Sequence, residues 1–106
     1  MELMPMTASN MTASNRTSSI ERLILREEVL DRIIDIAISI KKLNISLSVD
    51  YWAIIDRLKN DFNKINAYHL IERMKQDSQL QSYPSLYNRI NKYYEDIMIY
   101  LDFISV

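Results

Sequence analysis

The chain contains no glycine in 106 residues, although proteins use glycine at about 7% of positions on average. Glycine supplies the positive backbone φ angles on which tight hairpin turns, phosphate-cradling loops and sharp nucleophile turns depend. The interior of a helix needs no such position. The composition therefore predicts an all-α fold, and it disfavours functions that depend on a glycine-rich loop.

Residues 1–17 differ in character from the rest of the chain. They are rich in Met, Thr, Ser, Ala and Asn, and the pentapeptide MTASN occurs twice in tandem, at residues 6–10 and 11–15. Their polar side chains compete with helical backbone hydrogen bonds, and they show no helical periodicity. We therefore predict a flexible, disordered leader over residues 1–17 and one domain over residues 18–106. Ser18 and Glu21 have the spacing of a capping box at the start of that domain.

Apolar residues at three- and four-residue steps predict a long helix near each end of the domain. The first carries apolar residues from Leu23 to Ile40, and Ile24, Ile34 and Ile38 widen its stripe. The last begins at Pro84, because proline suits the first turn of a helix. Its predicted buried stripe comprises Leu86, Ile90, Tyr93, Ile97, Leu101 and Ile104.

The middle of the chain leaves two interpretations open. A seam with coiled-coil-like spacing comprises Tyr51, Ile55, Leu58, Phe62 and Ile65. Beyond Ile65 the phase changes, so either one long, kinked helix continues or two helices meet between Asn63 and Asn66. We favour the single helix, followed by a polar loop over residues 76–82. The expected architecture is an antiparallel bundle of three long helices, or of four if the middle helix breaks.

Charge and cysteine content narrow the functional classes. Lysine and arginine number 13 against 14 aspartates and glutamates, and the two signs are balanced locally along the chain as well as overall. Nucleic-acid binding needs a concentrated basic surface and is therefore disfavoured. The absence of cysteine excludes disulfides and thiolate metal sites. No apolar run approaches the ~20 residues that span a bilayer, and no secretory signal is recognisable. We expect a cytoplasmic protein.

Catalytic and metal chemistry have few candidate residues. His69 is the single histidine, so an HExxH site and paired Glu-x-x-His motifs are excluded. Serine catalysis would need this histidine together with an oxyanion turn, which usually contains glycine. We therefore predict that the protein is not an enzyme and uses no cofactor or metal.

The strongest functional pattern is a surplus of apolar residues on the last helix. Within residues 97–104 only Asp102 is polar, whereas one helix face against a core uses three or four of every seven positions. Tyrosine, which occurs seven times, is enriched at interfaces. Alternatively, wide four-helix packing buries the surplus, and the tyrosines reflect AT-rich coding. The candidate partner-binding residues are Tyr83, Tyr87, Tyr94, Met98, Tyr100 and Phe103.

These patterns favour a small, non-enzymatic protein-binding module of the inhibitor, immunity-factor, chaperone or adaptor type. It would bind another protein or form a homodimer through an apolar and tyrosine-rich surface. The alternative is a small helical transcriptional or nucleic-acid-associated regulator that acts as a dimer. Peripheral membrane attachment through the last helix ranks lower, because that helix lacks flanking lysines.

Overall fold

The computed structural model describes residues 19–104, and every regular element in that range is an α-helix. The helices are α1 (Ser19–Lys42), α2 (Tyr51–Asn60), α3 (Lys64–Gln76), α4 (Ser78–Gln81) and α5 (Pro84–Phe103). The predicted all-α class is therefore confirmed. The predicted leader over residues 1–17 and the Ser18 cap lie outside the described residues.

Side-chain contacts at both ends of α1 show that α2 runs antiparallel to it. Near the C-terminal end of α1, the Lys41 ammonium lies 5.8 Å from the centre of the Trp52 ring at the start of α2. Near its N-terminal end, the Arg26 guanidinium lies 5.7 Å from the centre of the Phe62 ring, just after α2. Arg26 also donates a hydrogen bond of 3.1 Å to the carbonyl oxygen of Lys59. The two helices are thus joined at both ends.

Helix α5 packs against both α1 and α3 and is antiparallel to each. Against α1, the Tyr93 hydroxyl donates to Asp35 at 2.7 Å. Against α3, the ammonium of Lys64 donates to the carbonyl oxygen of Ile104 at 3.3 Å, and Lys75 lies over the ring of Tyr94. Together with α2, these contacts define an up-down-up-down bundle of four helices.

The middle of the chain forms two helices, so the favoured single helix is wrong and the alternative with a break is correct. Helix α2 ends at Asn60 and α3 begins at Lys64. The side chain of Asn63 caps α3 by accepting the backbone N–H groups of Ile65 at 2.9 Å and Asn66 at 3.1 Å, as polar N-cap residues commonly do. Because α3 is a separate helix with its own orientation, Ile65 does not continue the predicted buried seam and is 60% exposed.

The predicted loop over residues 76–82 contains the short helix α4. Asp77 caps this helix by accepting the backbone N–H of Gln79 at 2.8 Å. Leu80 is its one apolar residue, and this side chain is fully buried. The polar composition of this segment predicts a loop, but the Asp77 cap and the burial of Leu80 stabilise a short helix there.

The core extends through the whole bundle, and α5 supplies its most regular part. The predicted stripe on α5 is buried, apart from the half-buried Tyr93. On α1 the buried positions begin at Val29, whereas Leu23 and Ile24 are exposed. The most deeply buried side chains are Val29, Ile33, Ile36, Ile55, Ile71, Met74, Leu80, Ile90 and Ile97.

Candidate partner-binding surface

The predicted partner-binding residues lie on different sides of α5. Tyr94 and Met98 lie on the side that faces α3, where Lys75 contacts the Tyr94 ring and Met98 lines a cavity between the two helices. Tyr100 lies on the side that faces α1, where it contacts Arg32. Residues on different sides of one helix thus contact different neighbouring helices.

The remaining three predicted residues lie near the ends of the same helix. Tyr83 is the N-cap of α5 and is exposed, and Tyr87 lies half-buried in the first turn. Phe103 is the last helical residue and is 64% exposed. At 1.5 Å of rise per residue, Tyr87 and Phe103 lie about 24 Å apart along the axis. A partner would have to cover most of α5 to contact all six residues.

Arg32 of α1 holds the Tyr100 side chain against the bundle. Its guanidinium donates a 3.2 Å hydrogen bond to the Tyr100 hydroxyl and lies 4.8 Å from the centre of the ring. The same guanidinium binds the carboxylates of Glu28 at 2.8 Å and Asp96 at 3.5 Å. Because Tyr100 is half-buried in this polar cluster, only part of its surface is left for a partner.

Helices α3 and α5 form an apolar groove of about 470 Å³ where α3 begins and α5 ends. Exposed Ile65 and Tyr68 of α3 face half-buried Met98 of α5 across it. Ile99, adjacent to Met98, is 56% exposed and extends the apolar surface onto the outer side of α5. We call this feature the α3–α5 groove, which is lined by Lys64, Ile65, Tyr68, His69, Met98, Leu101 and Asp102.

Sequence analysis identified Met98 of this groove but missed Ile65 and Tyr68. Ile65 was assigned to the buried seam because a continuous helix would place it there. The change of phase beyond Ile65 is the signal that could have located it. Helix α3 begins at Lys64, and its buried face is formed by Ala67, Leu70, Ile71 and Met74. Ile65 and Tyr68 lie outside this face.

Tyr94 occupies the interface between α3 and α5 further along both helices. The Lys75 ammonium lies 4.2 Å from the centre of its ring. Hydrogen bonding to the Glu72 carboxylate, followed in importance by partial burial, raises the pKa of Tyr94 to about 12. Because this pKa is raised in the folded protein, the contact stabilises the fold below pH 10, and the stabilisation is lost as the pH rises towards 12.

We expect Glu72→Gln to lower the pKa of Tyr94 towards about 10, the usual value for tyrosine. A neutral amide removes the negative charge that opposes formation of the phenolate. Following the Tyr94 ring resonances by NMR as the pH is raised measures this change. Glu27→Gln, which removes an exposed carboxylate from α1, serves as the control. An equal shift in both variants would contradict the assigned cause.

Metal and membrane features are lacking in the part of the chain that the structure describes. Among residues 19–104, no three His, Cys, Asp or Glu side chains are grouped so that they could hold a metal ion. No helix in that range is long and apolar enough to cross a membrane. The same residues do carry an exposed apolar groove on a four-helix antiparallel bundle.

Comparison with known proteins adds no relative. No protein-family model, curated protein or solved structure matches this chain. The function therefore has to be inferred from the groove and from the side chains around it.

Proposed function

We propose that this protein is a non-enzymatic binding module for another protein and that the α3–α5 groove is its contact surface. The observation that carries the proposal is the exposure of Ile65 and Tyr68 beside the half-buried Met98. Contiguous exposed apolar surface commonly marks an interaction site. Covering it would remove apolar area from water, at about 25 cal/mol for each Å².

The shape of the groove favours a different protein over a second copy of this chain. In a two-fold symmetric dimer the same patch meets itself, so the groove would be filled only if a side chain beside it entered the groove of the other copy. An amphipathic helix of a partner would instead insert its apolar side chains between α3 and α5. The groove carries Lys64 and His69 on its α3 side and Asp102 on its α5 side, which would set the orientation of that helix.

This mode of binding suits an inhibitor, immunity factor, chaperone or adaptor. The cytoplasmic location is still a prediction. The alternative function, a dimeric nucleic-acid-associated regulator, is also untested, and binding to nonspecific duplex DNA at increasing salt concentration tests it. An electrostatic binder must lose affinity as the salt concentration rises.

The decisive variant is Ile65→Asp. A partner is first identified from extracts of the native host by affinity capture and mass spectrometry, then purified and titrated against the wild type and the variants. We expect Ile65→Asp to weaken this binding by about 10-fold or more, because binding would bury the new carboxylate against apolar side chains without a partner. Ile20→Asp is the matched control, since Ile20 is exposed on α1, and we expect unchanged affinity.

Circular dichroism should show wild-type helicity for both variants, because both positions are exposed. Equal affinity of the Ile65→Asp variant and the wild type would contradict the proposal. Sedimentation of the purified protein provides a second criterion. If the wild type self-associates and Ile65→Asp makes it monomeric, the groove is instead a contact between copies of this chain.

A further inference from the structure

A second cavity, of about 610 Å³, lies between α2 and α3. We call it the α2–α3 cleft. His69 lines both this cleft and the α3–α5 groove, so the two cavities flank α3 on either side. The volume of the cleft lies within the range of about 300–1,000 Å³ that is typical of small-molecule sites.

The charged residues that line the cleft are mainly basic. Arg57 from α2 and Arg73 from α3 line it together with His69, against the single carboxylate of Asp61. The sequence disperses these side chains among acidic neighbours, and only the antiparallel pairing of α2 and α3 places the two arginines at one cavity. The cleft therefore has an excess of positive charge in a protein whose formal net charge is -1.

Arg57 and Arg73 are both exposed. Arg26, Arg32 and Arg89 bind carbonyl or carboxylate oxygens of other residues. Within residues 19–104, no hydrogen bond or ion pair joins the guanidinium of Arg57 or of Arg73 to another group. A guanidinium offers five N–H donors in a planar arrangement that matches phosphate oxygens. These donors are available to a ligand.

One wall of the cleft is apolar. Ile54 is half-buried, and Leu58 and Leu70 are buried in the core but also line the cavity. Apolar surface open to water on this wall therefore comes mainly from Ile54. An anion that carries an apolar or aromatic group would cover this surface, whereas a bare anion would not.

We propose that the α2–α3 cleft binds a small organic phosphate. Arg57 and Arg73 bind the phosphate oxygens from facing helices, and the wall formed by Ile54, Leu58 and Leu70 contacts the organic group. The site adjoins the proposed protein-binding groove at His69, but the proposal does not depend on the one for the groove.

Phenyl phosphate is a suitable probe, because it joins a phosphate to a flat apolar group. We would titrate it into ¹⁵N-labelled protein at low salt and follow the backbone amides and the arginine Nε–H signals. We expect saturable shifts confined to residues that line the cleft. Phenyl phosphate should bind several-fold more tightly than inorganic phosphate, because it also covers apolar surface.

Arg57→Gln and Arg73→Gln should each weaken binding of phenyl phosphate by about 10-fold or more, as expected for loss of hydrogen bonds to a charged group. Arg22→Gln is the matched control: Arg22 is exposed, as Arg57 and Arg73 are, but it lies on α1 and does not line the cleft. Its dissociation constant should change by less than about 2-fold. Ile65→Asp should also bind normally. If the Ile65→Asp variant still binds phenyl phosphate, the cleft can be tested even where the proposal for the groove fails.

Several results would overturn the proposal. Shifts that spread over basic residues outside the cleft, or equal weakening by Arg22→Gln, would indicate nonspecific attraction. If the NMR shifts do not saturate as phenyl phosphate is added, the cleft is not a specific binding site. If inorganic phosphate binds as tightly as phenyl phosphate, the apolar wall plays no part in binding. Tighter binding of a single-stranded oligonucleotide, increasing with its length, would point to a nucleic-acid surface instead.

Discussion

Replacing Ile97 by alanine is expected to destabilise the protein by about 2–5 kcal/mol. Ile97 is completely buried on α5, the helix that packs against both α1 and α3. Truncation removes apolar atoms from the core and leaves a cavity that the neighbouring helices fill only in part. Domains typically have a free energy of unfolding of about 5–15 kcal/mol in total, so this single change would remove a large share of it.

Ile99→Ala is the matched control, because it makes the same chemical change two residues further along the same helix. Ile99 is 56% exposed, and alanine favours helix formation over isoleucine. We expect its free energy of unfolding to stay within about 0.5 kcal/mol of the wild type. Urea denaturation followed by circular dichroism measures both variants. An equal loss for Ile99→Ala would mean that this side chain is covered in solution.

Replacing Asp77 by alanine is expected to lower the free energy of unfolding by about 2–4 kcal/mol. The Asp77 carboxylate accepts the hydroxyl of Tyr51 at 2.6 Å and the backbone N–H of Gln79 at 2.8 Å. It therefore links α2 to the cap of α4. Tyr51 is buried, so removal of its acceptor would leave a phenol hydroxyl without a partner in the core. The capping bond to α4 is lost at the same time.

A double-mutant cycle with Tyr51→Phe separates these two contributions. Tyr51→Phe should cost about 1 kcal/mol, because it removes the hydroxyl together with its need for a partner. Adding Asp77→Ala to that background should then cost only the cap, about 1 kcal/mol. Chemical denaturation of the four proteins gives the coupling energy. Strictly additive losses would show that the bond between Tyr51 and Asp77 does not stabilise the fold.

The same pair predicts a loss of stability at alkaline pH. Burial, followed by the hydrogen bond to Asp77, raises the pKa of Tyr51 well above its usual range. Folding therefore favours the protonated phenol, and this contribution is complete below about pH 10, where unfolded tyrosine titrates. It decreases as the pH rises further, and Tyr51→Phe should remove that part of the pH dependence.

The helices could be predicted from the sequence because their causes are local. Spacing at three and four residues directly indicates which face of a helix is buried, and the predicted stripe on α5 includes the deeply buried Ile90 and Ile97. The phase change beyond Ile65 likewise marked the break in the middle of the chain. The sequence does not decide between a kink and a break. The Asn63 cap favours the break, but such a cap stabilises a helix by only about 1 kcal/mol.

The candidate sites depend on contacts between residues distant in sequence. The apolar pattern of α5 predicts that Tyr100 is available for a partner, but Arg32, 68 residues away, donates a hydrogen bond to its hydroxyl. Arg57 and Arg73 share a cleft only because α3 turns back against α2. The sequence by itself determined an all-helical chain and the buried stripe of α5, since the absence of glycine and the apolar period act within each segment. Only the tertiary structure decided which side chains stay exposed, because that depends on how each helix is rotated against its neighbours.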